Sequence, residues 1–261
     1  MGSNQQQRFT FSAERESEPA WSPDGKQIAF MSTNGIVVKP ADGSRKVQTI
    51  VSGKAGEFRM PRWSPRGDLL VFQRSARAGF EIWYIPLQPN QKPIPFLTTP
   101  GMMQFPSISP DGRYLAYTSD ETQTQETFVR SFPAGEGKWM VSSKTGQRPR
   151  WSPKGDELYF LEGNSMMAAR VHLQPSFSVL GVEKLFDGAS QRLRLQVGYS
   201  VMLGGMGFVT SEYQDKLEGP VASSSWKTGG GVPEKAMIVK RMGRSRNPVH
   251  DRGVWGLNHH L

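Results

Sequence analysis

A seven-residue pattern recurs four times along the chain, and its spacing constrains the fold more than any other feature. The copies are Pro19–Gly25 (PAWSPDG), Pro61–Gly67 (PRWSPRG), Pro106–Gly112 (PSISPDG) and Pro149–Gly155 (PRWSPKG). Their serines stand at positions 22, 64, 109 and 152, so the steps are 42, 45 and 43 residues. Self-similarity at about 40–45 residues indicates stacked supersecondary units, and a four-stranded propeller blade has about this length.

Each copy has the chemistry of a tight turn between two strands. Proline presets φ near −65°, glycine accepts positive φ, and serine or aspartate can bond to nearby backbone groups. A short apolar segment follows every copy, which is typical of a hairpin. In the first repeat the predicted strands are Pro19–Trp21, Lys26–Ser32, Gly35–Pro40 and Lys46–Val51.

One position of every repeat carries a large apolar residue. These residues are Trp21, Trp63, Ile108 and Trp151. A large residue at the same place in every unit fits a shared packing layer between neighbouring blades better than a set of aromatic ligand platforms. We therefore predict that these side chains lie at the seams between blades.

The pattern Trp/Ile-Ser-Pro-x-Gly followed by an apolar strand resembles the TolB-like β-propeller repeat, a relative of the WD-type repeat. The resemblance covers about residues 8–212. Segments Val38–Gly43, Tyr117–Thr122 and Phe128–Pro133 resemble the propellers associated with bacterial receptor serine/threonine kinases. Such propellers bind proteins, peptides or small ligands, or pack against a catalytic domain, and relatives are often periplasmic or membrane-tethered.

The fold class predicted is all-β, a propeller of about five four-stranded antiparallel blades. Four blades are clear and one is degenerate, and their ranges are 18–53, 59–99, 104–143, 148–187 and 197–228. In the degenerate copy Met202 stands where the serine should be, a step of 50 residues after Ser152, so an insertion is expected around 189–196. Residues 229–261 follow a glycine-rich linker and are predicted to form a basic, weakly ordered tail.

The segment 5–11 precedes the first repeat and reads as an orphan strand. It can complete the last blade and close a ring spanning 5–228, because closure removes unpaired sheet edges. The competing interpretation is an open arc, part of a six- or seven-bladed ring.

The sequence contains no recognisable catalytic or metal-binding constellation. It has no cysteine, and its four histidines are His172, in an apparent strand, and His250, His259 and His260, in the tail. No zinc-protease, EF-hand, P-loop or nucleophile-elbow pattern occurs. The residues before the opening prolines are Glu18, Met60, Phe105 and Arg148, and a single acid among four argues against a carboxylate cage. We therefore expect no enzyme activity, no metal and no cofactor.

The net charge and the absence of targeting patterns limit the classes of partner and the location expected for the chain. The net charge is +9, but the charges are scattered over turns and strand ends, so specific nucleic-acid binding is not expected. No signal peptide or membrane-spanning run is visible, and the chain as written would stay in the cytoplasm as a monomer.

The functional hypothesis is a non-catalytic scaffold or sensor that binds a protein or peptide. By repeat position, Glu18, Arg59, Gln104 and Arg148 lie near the channel mouth, where the two arginines can donate charge-assisted hydrogen bonds to a peptide or an anionic group. The alternative for each residue is a solvent-exposed position at the rim of the channel with no binding role. Two other functions stay open: the propeller of a receptor kinase or prolyl-oligopeptidase-type peptidase, and a metal-dependent propeller hydrolase.

Ring closure gives the first prediction. Deleting residues 1–12 should lower the thermal unfolding midpoint if the N-terminal strand completes a blade, because the deletion would expose a strand edge. Thermal unfolding followed by circular dichroism measures this, and an unchanged midpoint would contradict closure.

Overall fold

The computed structural model describes residues 7–12, 15–44, 46–187, 198–202, 207–210, 224–226, 235–239 and 255–256, and the regular structure within these ranges is β-strand. The chain divides into two compact units, Met1–Pro100 with Ser245–Leu261, and Gly101–Arg244. We call them unit 1 and unit 2. Within the described ranges, no helix has the length and apolarity that crossing a membrane requires.

Unit 1 contains two antiparallel blades. After β1 (Gln7–Arg8), the first blade is β2 (Ser17–Trp21), β3 (Gln27–Ser32), β4 (Gly35–Pro40) and β5 (Gln48–Ser52), hydrogen-bonded in chain order. The second is β6 (Phe58–Trp63), β7 (Leu69–Ala76), β8 (Gly79–Pro86) and β9 (Ile94–Leu97). These bounds confirm the predicted hairpins around the Ser-Pro turns.

Unit 2 repeats the same architecture. After β10 (Gly101–Met102), the third blade is β11 (Gln104–Ile108), β12 (Tyr114–Ser119), β13 (Glu126–Ser131) and β14 (Lys138–Met140). The fourth is β15 (Gln147–Trp151), β16 (Glu157–Glu162), β17 (Ser165–His172) and β18 (Ser178–Asp187). Both are antiparallel throughout.

The serine of each turn joins the first two strands of its blade. Its backbone N–H donates to the carbonyl five residues later at 2.8 to 3.0 Å in all four repeats. Its hydroxyl oxygen accepts the N–H of that same later residue, at 2.9 to 3.2 Å. The serines are Ser22, Ser64, Ser109 and Ser152, and all four are buried.

Each serine hydroxyl also donates to an aspartate, but the aspartate comes from two different positions. In the Pro-Asp-Gly turns the acceptor lies two residues after the serine, as Asp24 and Asp111, at 2.6 Å. Where Arg66 or Lys154 takes that place, the acceptor lies four residues after the serine, as Asp68 and Asp156, at 2.6 and 2.7 Å. The hydrogen bond from Ser22 lowers the pKa of Asp24. A carboxylate therefore completes every turn.

Two tryptophans occupy matching seams, as predicted. The indole Nε1–H of Trp63 donates to the Ala20 carbonyl of the preceding blade at 2.9 Å. The indole of Trp151 donates to the Ser107 carbonyl at 3.0 Å, and both acceptors stand two residues before the turn serine. Trp63 packs against a core formed by blades one and two, and Trp151 belongs to a core formed by blades three and four.

Trp21 differs from these two residues. It is 41% exposed, whereas Trp151 is 7% exposed. Ile108, the fourth residue predicted to lie in this packing layer, is half-buried. The layer is formed by Trp63 and Trp151 within their units. It does not extend to Trp21 among the described residues.

The fifth sheet departs from the repeat after its first two strands. It contains β19 (Tyr199–Val201), β20 (Gly207–Thr210), β21 (Ser224–Trp226) and β22 (Lys235–Val239), in the order β19-β20-β22-β21. The N–H of Met202 donates to the Gly207 carbonyl at 2.9 Å, the same bond that the serines make. However, β22 runs parallel to β20, and it lies in the range for which the sequence predicts a weakly ordered tail.

Both ends of the chain also differ from the simplest prediction. The segment expected to complete the last blade forms β1, which pairs antiparallel with β23 (Trp255–Gly256). The predicted insertion at 189–196 lies outside the described residues. Ring closure stays a prediction.

The outermost strand of blade four is unusually long and irregular. β18 has ten residues and exposes Val179, Leu180 and Val182. Its pairing with β17 shifts register twice, so that Leu180 and Leu185 have no Cα partner in the ladder. Each shift is a β-bulge, with one extra residue on β18.

The indole–carbonyl bond gives a prediction with an internal control. Trp63→Phe keeps an aromatic ring but removes the donor to Ala20, so we expect it to lower the free energy of unfolding by about 2 kcal/mol. The measurement is urea denaturation followed by fluorescence and circular dichroism. Trp21→Phe should lower it by less than about 1 kcal/mol, because its indole makes no such bond to a described residue; equal losses would contradict the assigned role.

Candidate functional site

The residue before each opening proline has a left-handed backbone. Glu18, Met60, Phe105 and Arg148 have φ values of 56°, 52°, 55° and 56°. In each blade the pairing of the first strand with the second shifts register at this residue. A non-glycine residue in this region carries roughly 1–3 kcal/mol of strain. The four blades thus share one strained bulge with four different side chains.

In unit 1 the bulge of one blade is joined to the bulge of the next. The Glu18 carboxylate accepts the backbone N–H of Met60 at 2.5 Å. Glu18 is half-buried, and this bond crosses 42 residues of sequence. The acid predicted to lie at the channel mouth therefore also bridges two neighbouring blades.

Arg59, the second predicted residue in unit 1, is exposed at the surface. Its guanidinium lies 5.3 Å from the centre of the Phe80 ring, which is on β8 of the same blade. Such a cation–π contact contributes roughly 0.5–1 kcal/mol at an exposed site. The contact orients the side chain and leaves its charge accessible.

In unit 2, Gln104 and Phe105 begin the first strand of blade three. Gln104 is half-buried and stands opposite Thr118 in the β11–β12 ladder. Phe105 is 8% exposed and takes the place that Glu18 has in blade one. An apolar ring thus replaces a carboxylate at the equivalent bulge.

Arg148 is the most constrained of the four predicted residues. Its backbone N–H donates to Thr118 Oγ1 at 3.1 Å, and its carbonyl accepts the Tyr199 hydroxyl at 2.8 Å. Its guanidinium lies 4.2 Å from the centre of the Phe105 ring, and the residue is half-buried. The backbone N–H and carbonyl of Arg148 are therefore both hydrogen-bonded, and one face of its guanidinium packs on an aromatic ring.

A second arginine, Arg150, adds positive charge near Arg148. Burial lowers its pKa, and the nearby charge of Arg150 lowers it further. Arg150 donates from Nη1 to the Pro149 carbonyl at 2.9 Å. Arg62 of blade two makes the equivalent bond to the Pro61 carbonyl, also at 2.9 Å. Arg150 therefore has a structural role shared by two repeats, whereas Arg148 has a side chain specific to its blade.

Of the four predicted site residues, Glu18 and Arg59 belong to unit 1, and Gln104 and Arg148 belong to unit 2. That the four residues surround one channel mouth stays a prediction. The sequence did not reveal the partners Thr118 and Tyr199. Tyr199 had a weak signal, because it stands in the degenerate repeat where the other copies have their opening proline.

Acidic and histidine side chains do not converge in the described ranges. No group of three or more His, Cys, Asp or Glu there has an arrangement that could hold a metal ion. His172 lies on β17, is exposed, and stands opposite Ser178.

The comparison with protein families matches this repeat architecture. A family model described as the TolB beta propeller domain matches residues 1–180. The chain belongs to the TolB β-propeller family. No curated protein sequence matches the chain.

Solved structures show the same fold at low sequence identity. TolB from Acinetobacter baumannii has a TM-score of 0.61 and 21% identity, covering 85% of this chain and 51% of its own. This TolB-family chain thus spans about half the length of that TolB. A chain of a nidogen/laminin complex has a TM-score of 0.50 and 14% identity, covering 66% of this chain and 64% of its own. At these identities the likeness shows the fold alone.

The bond between Glu18 and Met60 gives a stability prediction. Glu18→Ala leaves the Met60 N–H without its acceptor, so we expect a loss of about 1 kcal/mol in the free energy of unfolding. Glu18→Gln should lose less, because its amide oxygen can still accept the bond. Urea denaturation measures both variants. Glu183→Ala, at an exposed position of β18, is the matched control, and a similar loss there would show that the bond is not the cause.

Proposed function

We propose that this TolB-family propeller is a non-catalytic binding module for a protein or peptide partner. The contact residues are Glu18, Arg59, Gln104 and Arg148, at the starting ends of the first strands. The module acts as a scaffold or sensor.

The repeated left-handed bulge is the observation that carries this proposal, because Glu18 and Arg148 stand at the bulge and Arg59 and Gln104 stand one residue before it. Glycine adopts positive φ without a Cβ penalty, so a bulge needed for structure alone would be satisfied by glycine in every blade. Instead, the four blades place an acid, a thioether, an aromatic ring and a guanidinium on nearly identical backbone. A constant backbone with varied side chains is the arrangement that repeat proteins use for recognition.

The two arginines give the site its charge preference. Both are positioned by an aromatic ring, Arg59 by Phe80 and Arg148 by Phe105. A guanidinium held in this way loses less side-chain entropy when it binds an acceptor. A partner with acidic or carbonyl-rich segments is therefore favoured over an apolar one.

The test is a comparison of two double variants. Arg59→Ala with Arg148→Ala should reduce capture of the partner from a cell extract by about tenfold, since charge-assisted hydrogen bonds are lost. Quantitative mass spectrometry of the bound proteins measures the change.

The control removes the same charge from each unit elsewhere. Arg77→Ala with Arg170→Ala changes two exposed arginines, one in each unit, and should leave capture unchanged. Equal capture by the wild type and the Arg59/Arg148 variant, with both folded by circular dichroism, would reject this assignment of the site.

A further inference from the structure

Blades one and two show what the strained bulges can hold between them. The left-handed residue of blade two, Met60, offers its backbone N–H, and the left-handed residue of blade one, Glu18, fills that position with a carboxylate. A carboxylate of the chain itself thus links these two successive bulges.

Blades three and four have the same two positions with different chemistry. Phe105 stands where Glu18 does and cannot supply an acid, and Arg148 stands where Met60 does. The N–H of Arg148 donates to the neutral hydroxyl of Thr118 instead. This pair of blades therefore has an aromatic ring in place of the carboxylate and carries a cation at the second position.

The Arg148 guanidinium has no acidic partner in the part of the chain that the structure describes. Ion pairs found there, such as Arg74–Glu57, Arg113–Asp111 and Lys138–Glu121, do not include Arg148. A half-buried guanidinium without a counter-charge is costly, and the proximity of Arg150 adds repulsion. The cost is offset when an anion binds.

The surroundings of Arg148 also preorganise its side chain for binding an anion. Thr118 and Tyr199 hold the backbone of Arg148 from both sides, and the Phe105 ring supports one face of the guanidinium. The edge of the guanidinium, with its fork of N–H donors, is the part left for a planar acceptor.

We propose that Arg148, supported by Phe105, binds a carboxylate of the partner. This inference deepens the proposed function, because it names the ligand chemistry at one of its contact residues. The carboxylate belongs to a peptide C-terminus or to an aspartate or glutamate side chain. Its two coplanar oxygens match the N–H donors of the guanidinium fork.

Small probes test the chemistry without a known partner. The full chain, labelled with ¹⁵N in its arginine side chains, is titrated with N-acetylglycine, which has a free carboxylate, and with N-acetylglycinamide, its neutral isostere. We expect saturable shifts of the Arg148 Nε–H signal with N-acetylglycine and none with the amide. N-acetylaspartate α-amide tests the side-chain source, and tighter binding by either carboxylate identifies which source the site prefers.

Variants connect the binding to Arg148. Arg148→Gln should weaken N-acetylglycine binding about tenfold or more, and Arg148→Lys, which keeps the charge but loses the fork, should be intermediate. Arg170→Gln, at an exposed position of β17, should bind as the wild type does. The lysine variant keeps the test valid if the glutamine variant does not fold.

Three results would overturn the proposal. They are equal shifts with the amide, unchanged affinity in both Arg148 variants, or tighter binding of inorganic phosphate than of either carboxylate. If partner capture still depends on Arg59 and Arg148 in that case, the binding function stands and the carboxylate assignment fails.

Discussion

The hydroxyl of each turn serine makes at least two hydrogen bonds at once: it accepts a backbone N–H from the residue five positions later and donates to a nearby aspartate. Together with the serine's own backbone bond, these contacts set where the second strand begins. All four serines are buried, so water cannot replace these hydrogen bonds when the serine is substituted. The position of the seam tryptophan, one residue before the serine, and of the bulge, four residues before it, both follow from this arrangement.

The bulge keeps the same backbone in four blades while its side chain changes. The register shift is common to four blades, so the backbone there is a property of the repeat. The side chains are free to differ, and each finds its own support: a backbone N–H for Glu18, an aromatic ring for Arg148. Strain of this kind persists where neighbouring contacts over-determine the conformation. At Arg148 those contacts come from Thr118 and Tyr199, which belong to the blades on either side.

Local chemistry explains how much the sequence could predict. The turns, the strands that flank them and the seam positions of Trp63 and Trp151 follow from patterns shorter than ten residues. The acceptor of the serine hydroxyl is also set locally: it lies two residues after Ser109, as Asp111, and four residues after Ser152, as Asp156. The turn pattern alone did not indicate that an aspartate at the later position takes the same role. The exposure of Trp21 depends on whether another blade covers it, which a repeat pattern does not encode.

The sequence selected the candidate residues but did not predict their contacts. Repeat position alone selected Glu18 and Arg148, because equivalent residues of a repeat occupy equivalent places. Their partners Met60 and Tyr199 lie 42 and 51 residues away in sequence. Partners at this distance are set by the packing of blades. The parallel β20–β22 pair is a similar case, since its two strands are separated by residues with no repeat signal.

The irregular outer strand of blade four has a consequence for solubility. A long strand with exposed valines and leucine is the kind of edge on which another chain can nucleate a cross-β assembly. Its two bulges leave residues 181–184 as the stretch of uninterrupted ladder between them. A regular strand of another chain could pair with β18 only over this short stretch before a bulge shifts the register of the hydrogen bonds. The two bulges of β18 thus interrupt an apolar strand edge that would be a better template for fibril growth if it were regular.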